Sequence, residues 1–267
     1  MKCDMGIELD RPQRLAILID AENASPRATA AIFEEIATIG EASVRRIYGD
    51  FSSPRLKGWS EVLATYAIIP QQNFANTVGK NASDIALVID AMDLLHSSKF
   101  DGFCLISSDS DFTRLAARIR EQGLDVYGFG EKKTPESFRR ACKRFVYTEN
   151  LLPQGDGSAL SGTEAEGSAS TDSLSKAPPV AAIPLLRTAL SQLDDVDGWQ
   201  FLGAVGNRLA ALRPDFDPRT YGCPKLLTLI ERSDAFEIRR DNPKVYVRPK
   251  QSAAPKQKPS RPGRHVE

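Results

Sequence analysis

Two aspartates one residue apart, Asp109 and Asp111, stand in the stretch Ser107-Ser108-Asp109-Ser110-Asp111-Phe112, between the apolar run 103–106 and the helical pattern 113–119. A strand that runs into such a pair just before a helix puts both carboxylates at the carboxyl edge of a sheet, where α/β proteins gather their ligands. Asp20 ends a second apolar run, 15–19, and Asp84 lies near the start of the helical segment 82–96. If these strands are neighbours, the four carboxylates meet at one edge, where they repel one another unless a divalent cation sits among them. Hard oxygen ligands suit Mg2+ or Mn2+, and such a centre serves phosphodiester hydrolysis by activating water and stabilising the leaving oxygen. Each acid also has a plainer reading, Asp84 as a favourable charge at a helix N-terminus and Asp109 as an N-cap.

Around this set stand residues of second rank. Asn23, three residues after Asp20, would orient a ligand or bond its own turn. Lys80, in the polar stretch 73–81, is placed to meet a phosphate or is an ordinary surface lysine. Asp90 shares a helix with Asp84 but is rotated from it by about 120°, and Asp93 reads as surface. Ser107, Ser108 and Ser110 have the chemistry of nucleophiles, yet neither His96 nor His265 falls in a triad pattern and no Gly-x-Ser-x-Gly elbow exists. Neither a Gly-x-Gly-x-x-Gly turn nor a phosphate-binding loop is present.

The elements that must position these residues alternate. Strands are expected over 15–20, 43–50, 67–71, 103–106, 124–129 and 145–147, with helices over 26–39, 56–66, 82–96, 112–121 and 135–142. Gly40 and Gly123 are read as helix stops, and Ser25-Pro26 as an N-cap followed by a first helical residue. Continuous apolar strands joined by helices mean a three-layer α/β domain with a parallel central sheet. Five segments result: a lead-in at 1–11, this domain at 12–150, a Gly/Ser/Ala-rich flexible linker at 151–181, a small α+β winged-helix-like domain at 182–249, and a disordered basic tail at 250–267. In the small domain helices are expected over 183–193, 199–212 and 224–232 and strands over 235–240 and 244–248. Trp199, Phe201, Leu202, Leu209, Leu226, Leu227 and Ile230 are its expected core.

With 267 residues, 41% of them hydrophobic and 26% charged, the chain has the composition of an ordinary globular protein. The first residues lack a signal-peptide profile and no stretch has the length of a transmembrane helix, so a cytoplasmic location without membrane contact is expected. Four scattered cysteines, Cys3, Cys104, Cys142 and Cys223, argue against a zinc site or a disulfide framework. The net charge of zero is uneven: residues 1–150 carry 19 basic and 21 acidic side chains, residues 250–267 five basic and one acidic. Lys132, Lys133, Arg139, Arg140, Lys143 and Arg144 form a basic cluster that suits a polyanion or is a solvated face.

Leu-Ile-Asp20-Ala-Glu-Asn23, then Gly-Lys80-Asn-Ala-Ser-Asp84-Ile-Ala-Leu-Val-Ile-Asp90-Ala-Met, then Ser107-Ser-Asp109-Ser-Asp111-Phe112 resemble, in order, the signatures of the NYN domain, a branch of the PIN-like nucleases. The resemblance implies a metal-dependent ribonuclease fold in which Asp20, Asp84, Asp109 and Asp111 bind Mg2+ or Mn2+ with Asn23 nearby. Ser108 departs from it, standing where the family commonly has glycine. The stretch 197–226, with Asp197-Gly-Trp199, Gly206-Asn-Arg208-Leu and Pro214-Asp-Phe-Asp-Pro-Arg219-Thr-Tyr-Gly-Cys223, resembles the OST-HTH or LOTUS domain, which implies RNA binding and contacts with protein partners. Arg208, Arg213, Arg219 and Lys225, with Arg139, Arg140 and Lys143, are the expected phosphate contacts. The reading that results is a metal-dependent endoribonuclease with an RNA-binding module. The alternative is a non-catalytic RNA-binding adaptor, and a Toprim-like nuclease, for which Glu22 beside Asp20 is a poor match, is a third possibility.

Overall fold

The computed structural model describes residues 11–74, 81–152, 176–195 and 197–250. All but the last residue of the expected lead-in at 1–11, Lys80, most of the linker and the tail beyond Lys250 lie outside the described residues.

The first unit runs β1 (Gln13–Asp20), α1 (Thr29–Ala37), β2 (Gly40–Gly49), α2 (Lys57–Leu63), β3 (Ile69–Gln72), α3 (Ala82–His96), β4 (Gly102–Ile106), α4 (Thr113–Glu121), β5 (Asp125–Gly130), α5 (Glu136–Ala141) and β6 (Arg144–Tyr147). Its six strands lie in the order β3-β2-β1-β4-β5-β6, and every neighbouring pair is parallel. Alternation along β1 divides the core. Leu15, Ile17 and Ile19 pack under α1 and α2, while Ala16 and Leu18 face α3 and α4 with Phe103 and Leu105. Chain direction across the sheet reverses between β1 and β4, so their carboxyl ends flank the crevice typical of such a switch point.

Several boundaries move from expectation. Helix 26–39 opens as a 3-10 turn over Pro26–Ala28, with Ser25 in the capping position but giving no side-chain cap bond. Gly40 begins β2 rather than ending a helix, because α1 closes at Thr38 and the chain pairs at once with Gln13.

The second unit comprises a 3-10 turn at Pro179–Ala182, α6 (Ile183–Ser191), β7 (Gln200–Phe201), α7 (Leu202–Leu212), α8 (Leu226–Ser233), β8 (Phe236–Asp241) and β9 (Lys244–Pro249). Residues 176–181, expected as linker, are ordered here, with the Ala177 amide donating to the Thr220 carbonyl at 3.0 Å. Leu186, Val205, Leu209, Leu229, Ile230, Phe236 and Val247 form its core. Three expected core residues are not in it; Leu227 is only half-buried on α8, outside the cluster. Trp199 is partly exposed and Phe201 is 45% exposed, because the chain pairs with β9 at 200–201 and only then turns into α7, which starts at Leu202.

The two units touch along the outer edge of β6. The Phe145 amide donates to the Pro214 carbonyl at 2.9 Å, so the second unit covers what would be an open strand edge. Asp215, 8% exposed, accepts from Tyr147 Oη at 2.7 Å and from Arg213 Nε at 3.1 Å, and pairs with Arg139. Arg219 pairs with Asp217 inside its own unit and reaches Glu35 of α1 at 2.8 Å, while Arg144 meets the other oxygen of Glu35 at 2.6 Å. Burial alone would push the Asp215 carboxyl up, but hydrogen bonds from Arg213 and Tyr147 and the charge of Arg139 hold it below the usual carboxylate range.

Candidate nuclease site at the switch-point crevice

Asp20 is the best-fixed of the four aspartates. It is 1% exposed at the end of β1, and four donors converge on it. Oδ1 accepts the Glu22 and Asn23 amides at 3.1 and 3.3 Å; Oδ2 accepts Asn23 Nδ2 at 2.9 Å and Ser107 Oγ at 2.7 Å. The turn after it is pinned by Trp59, whose indole N–H donates to the Ala21 carbonyl at 3.2 Å, and by the Ala21 amide on the Tyr48 carbonyl at 3.0 Å. A carboxylate buried with this many donors stays oriented at modest cost.

Ser107, just past β4, joins the two strand ends. Its hydroxyl donates to Asp20 and accepts the Asp109 amide at 3.0 Å, so it orients acids rather than acting as a nucleophile. Its carbonyl would lie 2.5 Å from a Cβ at position 130, so only glycine lets β5 approach this turn. Asp109 caps the 3-10 turn 110–112 by accepting the Asp111 amide at 2.9 Å, as the plainer reading expects. Ser108 is buried and its Oγ accepts the Glu131 amide at 2.9 Å; it is not among the residues with positive φ, so the serine fits without backbone strain.

Asp84 enters from the first turn of α3, half-buried. Burial first, and then the charges of Asp20, Asp109, Glu22 and Asp111, push its carboxyl up to about 6. Those charges reach Asp84 from the end of β1 and from the turns that follow β1 and β4. Asn81 Nδ2 reaches Asp111 Oδ2 at 3.4 Å, and a shallow hollow lined by Asn81, Asp84, Ile85, Ile89 and Asp111 opens beside them. Glu22 joins the acid group unforeseen; its place on the same turn as Asp20 was the available signal.

Among the described residues, no lysine or arginine pairs with these aspartates, and no group of three or more Asp, Glu, His or Cys side chains stands ready to hold a metal ion. The two observations bear differently on a cation. The donor chemistry, hard oxygens with uncompensated charge, fits Mg2+ or Mn2+; the side chains meet at the range of repulsion rather than of shared ligation.

Other candidates lie elsewhere. Asp90 points to β2, where Arg46 and the Tyr48 hydroxyl bond it. Asn23 is committed to Asp20. Arg139 and Arg219 are engaged at the contact between units, Arg140 pairs with Glu136 at 2.7 Å and Lys143 with Asp125 at 2.6 Å, so the basic cluster is largely neutralised. Arg208 donates to Gln192 Oε1 at 2.8 Å, and Lys225 is exposed at the start of α8.

A parallel α/β sheet with acids at its switch point defines a PIN-like nuclease fold. The NYN domain model matches residues 14–151, and the chain belongs to that family; an OST-HTH/LOTUS domain follows at 174–248. A solved structure of a protein of unknown function from Vibrio parahaemolyticus is 20% identical over 52% of this chain and 94% of its own, with a TM-score of 0.43. Another, an uncharacterized protein from Nitrosomonas europaea, is 32% identical over 39% of this chain and 100% of its own, with a TM-score of 0.26. No curated protein matches the chain.

Proposed function

We propose that this chain is a metal-dependent endoribonuclease acting in the cytoplasm, with its OST-HTH/LOTUS unit engaging RNA. The observation that carries the reading is the joining of the two strand ends: Ser107 links Asp20, at the end of β1, to the Asp109–Asp111 turn after β4, and burial, with the charges of Asp20, Asp109, Glu22 and Asp111 added to it, pushes the Asp84 carboxyl up to about 6. So much unpaired negative charge at one sheet edge is costly to keep unless it meets a cation. Asp20, Asp84, Asp109 and Asp111 would hold Mg2+ or Mn2+, which supplies charge stabilisation and water activation for phosphodiester hydrolysis. Ser107 and Asn23 keep the Asp20 carboxylate aimed, and Ser107 ties it to the Asp109 turn. Lys80, on the segment preceding α3, is proposed to steady a phosphate of the substrate.

The test is incubation with labelled single-stranded and structured RNAs in Mn2+, Mg2+ or chelator, beside Asp109→Asn. Cleavage that requires metal and is lost in the variant is expected; equal cleavage by the variant overturns the assignment. The adaptor alternative draws on the lack of a ready-made ligand set among the described residues, and it expects RNA bound but uncut under every condition.

A further inference from the structure

The three-stranded sheet of the second unit, ordered β7-β9-β8, buries one face and presents the other. Phe201 stands opposite Tyr246, Tyr246 opposite Arg239, and Arg248 opposite Glu237. Because side chains alternate across a strand, these residues share the face opposite Val247, which is 1% exposed in the core. Trp199, two residues before Phe201, joins them. The Arg248 and Arg239 guanidinium carbons lie 4.4 and 4.9 Å from its ring centre, Arg239 also lies 5.0 Å from that of Tyr246, and Tyr246 meets Phe201 edge-on at 6.0 Å. The result is a chain of flat surfaces, Arg248, Trp199, Arg239, Tyr246, Phe201, ending on a phenylalanine that is 45% exposed. In a unit this small, an aromatic left open where the core could have taken it calls for a ligand with flat apolar faces.

We propose that this sheet face is a stacking platform for single-stranded RNA. Unpaired bases stack on aromatic rings and on guanidinium planes whatever their identity, whereas in a duplex those faces are hidden. The carboxylates on the face refine the expectation. Glu237 holds Arg248 at 2.8 and 2.5 Å and Asp241 lies 3.1 Å from Arg239, so both arginines already have anionic partners and stacking rather than charge carries the affinity. The chain also continues from β9 into residues 250–267, with five basic side chains to one acidic, a sign that suits a polyanion. The inference rests on RNA being the ligand, but it relocates recognition from the arginines around 208–225 to the sheet.

Tryptophan emission gives a direct test. The chain has two tryptophans, and Trp59 is 2% exposed in the first unit's core, so a change on adding RNA reports Trp199. The full chain, in chelator, is titrated with single-stranded oligouridylate, oligoadenylate and a duplex RNA of equal length. Single strands are expected to quench Trp199 and the duplex to bind far more weakly. Phe201→Ala and Phe201→Leu should each weaken single-strand binding roughly 5- to 150-fold, as for one lost stacked base, while Phe201→Tyr keeps it. Phe201→Leu preserves apolar bulk, so a loss shared with alanine is not a folding defect. RNA bound with full affinity by Phe201→Leu, or equally as duplex, overturns the platform and leaves the ribonuclease reading standing. Quenching without any cleavage in Mn2+ supports the platform and removes the nuclease.

Discussion

Replacing Asp84 by asparagine should stabilise the metal-free protein at neutral pH while it destroys a site that needs the charge. The folded state holds the Asp84 carboxyl at about 6 against an ordinary value of 3.8, through burial and four acidic neighbours. A folded-state pKa above the unfolded value means the folded chain binds that proton more tightly. The associated stability is therefore complete below about 3.8 and is lost as pH rises through about 6. For a fully enclosed carboxyl such a rise would correspond to about 3 kcal/mol, but Asp84 is only half-buried and solvent screening brings the expectation to about 1 kcal/mol. For a unit of this size that is a rise of roughly 3–5 °C in Tm for Asp84→Asn at about pH 7.5, shrinking toward zero at about pH 4. Thermal unfolding followed by circular dichroism across that pH range in chelator reads it. Addition of Mn2+ should raise the wild-type Tm and leave the variant nearly unmoved, reversing their order. A variant less stable than wild type at neutral pH, or a difference that does not change with pH, refutes the argument that these acids repel one another.

The remaining predictions concern contacts outside the crevice. Asp90→Asn gives up charged hydrogen bonds from Arg46 and Tyr48, so it should cost about 1–3 kcal/mol in chemical denaturation yet leave cleavage by the folded protein unchanged; lost cleavage at full stability would return Asp90 to the site. Asp215→Asn should release the second unit from β6, because Arg139, Arg213 and Tyr147 all bond this carboxylate. Hydrogen exchange at the Phe145 amide, which donates to Pro214, is expected to quicken at least ~10-fold while exchange in β1 stays slow, and unchanged exchange counts against the docking. In the wild type the same release comes only as pH falls below the ordinary carboxylate range, since the Asp215 carboxyl is held low and its contribution is present above that range.

The sequence by itself determined the alternation of elements and the four aspartates. Apolar runs such as 15–19 and 103–106 leave no choice but strands buried on both faces, and acids placed at their ends fall at one sheet edge by chain direction alone. Helix 82–96 was legible to the residue, since its period and its Asn81 boundary are local properties. What only the tertiary structure decided depends on partners far away in sequence. Ser107 is a link rather than a nucleophile because its hydroxyl donates a hydrogen bond to Asp20, 87 residues distant. Asp90 turns away because β2 supplies Arg46 and Tyr48, and Arg139 and Arg219 are spent on the contact between units rather than offered to RNA. Aromatic type alone likewise suggested that Trp199 and Phe201 were core, whereas the pairing of residues 200–201 with β9 turned them to the open face. Periodicity reports which residues want burial; only the assembled sheet reports which of them obtain it.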